Sequence, residues 1–271
     1  TQSRSSAASD VYKRQLEGLA LSSVDFDGSA DYIASDALQS VFRSSFAIGC
    51  WIKADDGRPS SVEQFMGSRN SAQNDTIEFG IETGGELKVY YESDGDIVRA
   101  VTDDPVFADG ASAWTHCMFT MDDTGNQISI YVNGVNQTLD GTHNGDTSGV
   151  TNSDWTSSDE LFIAARDDNG TADNHFAGLM RDVKIFDYAL SADQASSLYS
   201  GSYNVTPYHW YKLDEASFGN ATDSGTTAYT GSAEGGLSSS KGTLDLDSTL
   251  TIEANGTLSA PRGTLELASN F

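Results

Sequence analysis

The sequence is poor in several things that would narrow its chemistry. It holds only two cysteines, Cys50 and Cys117, in 271 residues, and neither has a second Cys or His at zinc-site spacing. Basic residues are scarce: 15 Lys and Arg face 40 Asp and Glu, for a net charge of −25. Such a surface repels phosphates, which argues against nucleic acid as a partner. It suits a saline or extracellular setting, or a cation-binding rim. No apolar run approaches the ~18 residues a membrane helix needs, so membrane insertion is not expected. The four histidines, His116, His143, His175 and His209, are scattered without ligand spacing. No G-x-S-x-G or comparable nucleophile signature occurs. Helical periodicity is also nearly absent.

What remains is short alternation. Runs with a two-residue beat include Leu21–Phe26, Phe46–Lys53, Thr76–Ile81, Leu87–Glu92, Ile97–Thr102, Thr115–Met121, Gln127–Val132 and Gly178–Phe186. Hairpin chemistry joins them, as at Gly84-Gly85, Asp94-Gly95 and Asn133-Gly134. The pattern predicts an all-β sandwich or barrel over residues 20–190, with one helical turn within 36–42. Both cysteines fall on apolar strand faces, Phe46-x-Ile48-x-Cys50-x-Ile52 and Cys117-x-Phe119-x-Met121. They read as small buried hydrophobes; a disulfide stays open, because sequence does not place their Cα atoms. Residues 176–199 read as one long strand, a turn and a helix. Met180, Val183 and Ile185 are apolar around Arg181, Asp182 and Lys184. Ser191 with Gln194 makes a capping box, and Gly201 a stop.

Several segments resemble the laminin-G-like, concanavalin-A-like jelly rolls. Gly178-Leu-Met-Arg-Asp182-Val-Lys-Ile-Phe-Asp-Tyr-Ala-Leu-Ser191 is similar to their closing strand, and Val24-Asp-Phe-Asp27-Gly28-Ser-Ala-Asp31-Tyr32-Ile33 to their opening one. Phe46–Lys53, Ala113–Cys117, Ile130–Gly134 and Leu161–Arg166 match intermediate motifs in the right order. The resemblance covers residues 21–200 and implies a two-sheet antiparallel jelly roll with one short C-terminal helix. It speaks for fold alone, because this fold carries many functions.

The ends read differently. Residues 5–15 resemble the in-frame translation of a transposase sequencing adaptor, so 1–15 is read as a disordered scar. The jelly roll is expected over 16–203. Residues 204–240 contain Trp210-Tyr-Lys-Leu213-Asp214-Glu215 and Asp223-Ser-Gly225, which resemble the first strand and loop of such modules. They are a strand-containing linker that completes the first module, or an incomplete second one. From 241 to 271, Gly242-Thr-Leu, Gly256-Thr-Leu and Gly263-Thr-Leu suggest the start of a β stalk through which three copies would join.

Catalysis is not expected. The nearest match to a glucanase E-x-D-x-E is Glu92-Ser-Asp94-Gly-Asp96, where Asp94-Gly95 reads as a turn. Calcium is the sharper expectation. The resemblance implies that Asp182 on the closing strand meets Asp27, Gly28 and Asp31 of the opening loop; the alternative is that Asp182 only accepts backbone hydrogen bonds from that turn. For a sugar ligand, the candidates are Trp155, His143, Asn144 and Asp146 in the polar loop 139–159, with Tyr90 and Tyr91 at mid-sheet. The expected function is non-catalytic recognition or adhesion. The ligand would be a glycan or another host-surface group, bound with calcium in support, and the setting a virion, tail fibre or extracellular surface. A purely structural domain is the first alternative, a glycoside hydrolase the second.

Overall fold

Alternating side chains build two sheets with one dry face each, and the two dry faces meet. The computed structural model describes residues 23–201, 205–215 and 219–240. In chain order the elements begin with β1 (Ser23–Asp27), β2 (Tyr32–Ala34), α1 (Gln39–Phe42), β3 (Phe46–Ala54), β4 (Glu63–Arg69), β5 (Thr76–Ile81), β6 (Leu87–Ser93) and β7 (Asp96–Thr102). They continue with β8 (Thr115–Asp122), β9 (Gln127–Val132), β10 (Val135–Asn136), β11 (Leu139–Asn144), β12 (Phe162–Ile163), β13 (Arg166–Asp168), β14 (Thr171–Asp173) and β15 (Ala177–Phe186). Then come α2 (Ala192–Tyr199), β16 (His209–Tyr211), β17 (Asn220–Ala221), β18 (Gly231–Glu234) and β19 (Ser238–Ser240).

The first sheet has the order β10-β9-β8-β3-β15-β1-β19, with β16 also pairing β15. The second runs β11-β7-β6-β5-β4-β12-β2-β18-β17, with β13 and β14 appended at β4. Among the described residues every strand pairing is antiparallel except β13 with β4. The hairpins use the turn residues they need. Asp94-Gly95 (φ 48° and 89°) and Asn133-Gly134 (φ 49° and 75°) both place two residues in the left-handed region, as tight two-residue hairpin turns require.

Between the sheets a chain of rings runs edge to face. Phe46 and Phe119 of the first sheet meet Phe79 and Phe65 of the second, at centroid distances of 5.7 Å (Phe46–Phe119), 5.1 Å (Phe119–Phe79) and 5.2 Å (Phe79–Phe65). Phe176 closes one end at 5.4 Å from Phe65. Cys50 and Cys117 face each other across β3 and β8 as buried free thiols. Burial pushes both thiols up from their ordinary value, so they stay protonated and act as small hydrophobes.

The closing segment explains its own irregular beat. The β15–β3 register shifts between Arg181 and Lys184, and Asp182 has φ 56°. One extra residue is therefore bulged out, which is why Met180, Val183 and Ile185 all reach the core although two residues separate the first two. The chain then turns into α2. Ser191 and Gln194 form a reciprocal capping box, and Gly201 (φ 75°) follows the last turn. Leu190, Ala195 and Leu198 pack on Ala47, Met118, Tyr131 and Phe186, forming a second small core on the outer face of the first sheet.

The described residues of 205–240 complete the sandwich, as the first of the two expectations had it. β16 pairs β15, β18 pairs β2 and β19 pairs β1, so the segment adds strands to both sheets. Asp223 organises it. Its carboxylate accepts the backbone N–H groups of Trp210 (2.8 Å), Gly225 (2.7 Å) and Tyr229 (3.0 Å), and meets Nδ1 of buried His209 at 2.8 Å. The expected scar at 1–15 and stalk at 241–271 lie outside the described residues.

Candidate functional site

Asp27, Gly28 and Asp31 of the sequence-derived calcium set share one turn, but Asp182 is not brought to it. β1 and β15 pair with Asp27 opposite Ala177, whereas Asp182 lies five residues further along β15, beyond the end of that pairing. At ~3.3 Å per residue this separates the two by roughly 16 Å. Each carboxylate is also used locally. Asp27 accepts the N–H groups of Ser29 (2.8 Å), Ala30 (2.9 Å) and Asp31 (3.2 Å) and the hydroxyl of Ser29 (2.7 Å). These bonds, led by the one from Ala30, hold its carboxyl far below the ordinary value. The turn they stabilise carries Gly28 at φ 70°, where an added Cβ would stand 2.8 Å from that of Ala177. Asp31 accepts from the backbone N–H of Gly236 (2.6 Å). Asp182 accepts from the indole N–H of Trp210 (2.5 Å) and pairs with Lys184, while its own N–H donates to the Lys212 carbonyl (3.1 Å). The bulge at Asp182 therefore docks β16 into the sheet, a role that sequence could not show because its partners lie 28 to 30 positions downstream. Among the described residues no group of three or more His, Cys, Asp or Glu side chains has metal-holding geometry.

Two proposed sugar-stacking rings are core residues. Trp155 is 1% exposed, stacks on Tyr91 (5.5 Å) and meets Phe42 edge-on (5.0 Å). Its indole N–H donates to the Ser157 carbonyl (3.2 Å). The polar loop folds inward because Asp75, fully buried, receives the N–H and hydroxyl of Thr156 (2.8 and 2.9 Å) and the N–H of Ser157 (2.8 Å). Tyr91 is buried too, and donates to the Phe42 carbonyl (2.7 Å). Asn144 and Asp146 spend their side chains on the turn, accepting from the N–H groups of Asp146 (3.1 Å) and Ser148 (2.9 Å). Asp94 sits in the β6–β7 turn and accepts from Asn74 (3.2 Å), so Glu92 and Asp94 form no carboxylate pair on a strand face.

His143 alone of the loop candidates reaches a cleft. This cleft, of about 460 Å³, lies on the outer face of the second sheet. The same alternation that buries Leu87, Val89 and Tyr91 turns Lys88, Tyr90 and Glu92 outward. Register aligns one row across the face: Arg166 on β13, Gly67 on β4, Glu78 on β5, Tyr90 on β6 and Arg99 on β7. Gly67 matters here. A Cβ at that position would stand 2.9 Å from the Cβ of Arg166, so its absence lets the arginine side chain lie across β4 toward Glu78.

The row is held by charge. Arg166 pairs with Glu78 and, through two nitrogens, with Asp173 (2.9 and 2.5 Å). Lys88 sits 3.1 Å from Glu78 and 3.2 Å from Glu82. Burial opposes ionisation of Glu78, but Lys88 and Arg166 outweigh it and hold the carboxyl below its ordinary value. Arg69 grips Asp168 with two bonds (2.9 and 2.5 Å). The Tyr90 hydroxyl donates to Glu92 (2.9 Å); burial and that contact push the phenol up to about 12. The Arg99 guanidinium lies 5.1 Å above the Tyr90 ring. His143 is fixed by Asp140 at 2.9 Å. Thr76, 2% exposed, lines the wall with a hydroxyl that has no protein partner among the described residues. Tyr90 is a candidate from the sequence; strict alternation along β5 to β7 is the signal that adds Glu78, Lys88 and Arg99 to it.

Comparison with known proteins places this architecture. No curated protein matches the chain. A candidate carbohydrate-binding protein from Bacteroides ovatus superposes with a TM-score of 0.56 at 19% identity, over 84% of this chain and 61% of that one. The chain thus spans about three fifths of that structure. The CBM40 module of the Ruminococcus gnavus IT-sialidase gives 0.52 at 14% identity, over 66% of this chain and 97% of the module. The NanB sialidase of Streptococcus pneumoniae gives 0.51 at 16% identity, over 64% of this chain and 26% of the enzyme. At these identities the likeness is one of fold. Residues 27–196 match the laminin G family model of the concanavalin A-like lectin/glucanases superfamily. Since the match spans more than half of its length, the chain belongs to that superfamily.

Proposed function

We propose that this domain is a non-catalytic glycan-recognition module whose binding surface is the cleft on the outer face of the second sheet. The observation that carries the reading is the row Arg166–Glu78–Tyr90–Arg99. Cross-strand ion pairs lock Arg166 and Glu78, a hydrogen bond to Glu92 holds Tyr90, and the Tyr90 ring supports Arg99 before any ligand arrives, which lowers the ordering cost of binding. The fold supports the reading, since the R. gnavus module of the same architecture was solved with α2,3-sialyllactose. Lys88 and Arg166 hold the Glu78 carboxyl below its ordinary value, which disfavours it as the general acid of a glycosidase. We place the module in a larger extracellular or virion-surface protein, because a surface this acidic resists phosphates and the chain continues into Gly-Thr-Leu repeats.

The competing reading is a structural domain without a ligand. It is favoured by the fact that Arg69, Lys88 and Arg166 already hold carboxylates. A broad glycan array probed with the full chain separates the two. Binding that Tyr90→Ala abolishes, with circular dichroism unchanged, supports the module. Silence across the array, with the protein folded, favours the structural domain.

A further inference from the structure

The cleft cations differ in one respect. Arg69 holds Asp168, Lys88 holds Glu78 and Glu82, and Arg166 holds Glu78 and Asp173. Arg99 is exposed and has no carboxylate partner among the described residues. It is nonetheless positioned. Its guanidinium lies over Tyr90, and the Tyr90 ring is anchored through its hydroxyl to Glu92. The carboxylates nearby are already spent. Glu78 is bonded to Lys88 and Arg166, Glu82 to Lys88, and Glu92 to Tyr90. In a chain of net charge −25, an anion approaching most of the surface meets repulsion. In this cleft Glu78 and Glu82 already face Lys88 and Arg166, Glu92 accepts from the Tyr90 hydroxyl and Arg69 holds Asp168, so Arg99 is the lining cation with no carboxylate bound among the described residues. A fixed guanidinium with free donors is the side chain best shaped to take a carboxylate through two parallel hydrogen bonds. The unpartnered Thr76 hydroxyl offers a donor or acceptor to a sugar hydroxyl on the same wall.

Resting on the glycan reading above, we infer that the ligand is a carboxylate-bearing sugar whose acid group binds Arg99. The carboxylate would sit on the guanidinium over Tyr90, and the neutral part of the saccharide would extend along the cleft toward Thr76 and His143.

The test compares ligand pairs that differ in the acid alone: α2,3-sialyllactose against lactose, and trigalacturonate against its methyl ester. Each is titrated calorimetrically into the full chain. The acid member of at least one pair should bind about tenfold or more tighter than its neutral partner. Arg99→Gln should erase that preference and Arg58→Gln, on a loop away from the cleft, should keep it. The preference should also shrink as salt rises, as an exposed ion pair requires. Equal affinity within both pairs, or a preference that survives Arg99→Gln, overturns the inference. If acid and neutral members bind equally and Tyr90→Ala abolishes that binding, the inference fails while the glycan-binding reading stands. If no glycan binds on an array either, both fail.

Discussion

The two outward faces of the sandwich handle the same problem in different ways. Both place cations among aromatic rings on a chain with few cations. On the first sheet, Arg181 is 4% exposed and lies between Trp114 (4.6 Å) and Trp51 (5.2 Å). Trp51 in turn stacks on Tyr199 of α2 (5.6 Å), and Lys184 lies 4.8 Å from the Trp210 ring. The helix and the C-terminal segment cover this face, so its cations are consumed in holding the fold. On the second sheet no α-helix of the described residues packs over β5, β6 and β7. There Arg99 has a similar aromatic support from Tyr90 but stays exposed. The contrast teaches that a cation over a ring is glue when covered and a docking point when open. Coverage decides which, and chemistry alone does not.

The sharpest way to break the comparison is to attack the buried support of each face. Trp155→Ala empties the core beneath the second sheet and should cost about 3–5 kcal/mol, read by denaturant unfolding. Tyr90→Ala, one layer further out, should cost less than about 1 kcal/mol and act on binding instead. If the two variants were equally destabilising, the division into core ring and cleft ring would be wrong. A second, smaller effect tests the cations directly. Arg181→Ala should lose about 1–2 kcal/mol through lost ring contacts, whereas Arg99→Ala should stay within about 0.5 kcal/mol of the parent.

A third prediction concerns pH. Burial, with help from Asp56 and Asp55, raises the Glu63 carboxyl to about 7. The folded state then holds a proton that the unfolded chain releases near its ordinary value. Glu63 therefore stabilises the fold fully only at low pH, and that stability is lost as pH rises toward 7. Glu63→Gln should raise the unfolding free energy at pH 8 by about 1 kcal/mol, allowing for partial solvent screening, and change it little at pH 4. His116 has the opposite slope. Burial lowers its imidazole to about 4, so the fold weakens as pH falls from the ordinary histidine value toward 4. His116→Gln should flatten that acid limb. The smallest effect is expected from calcium. With Asp27 bonded to its own turn and Asp182 to Trp210, millimolar calcium in place of EDTA should shift the thermal midpoint by less than about a degree. A clear upward shift would mean that a site lies elsewhere on the acidic surface.

Much of this molecule is written in local pattern. The two-residue beat of β3, β5, β6 and β8, the Asp94-Gly95 and Asn133-Gly134 turns, and the Ser191–Gln194 capping box all follow from neighbours within a few positions. Such features need only backbone sterics and short-range hydrogen bonds, so sequence alone determines them. It also determined that Tyr90 and Tyr91 point to opposite faces. Which face holds the core was left to the tertiary structure. So were the fates of Trp155 and Asp182. Asp75 draws the Trp155 loop inward across some 80 residues, and Trp210 claims Asp182 from a segment beyond α2. A polar loop tryptophan or a strand aspartate looks free in sequence, because nothing local shows which distant donors or rings will compensate its burial. The cleft obeys the same logic. Alternation turns Glu78, Lys88, Tyr90 and Arg99 outward, but only the register of five strands lines them up with Arg166 in one row.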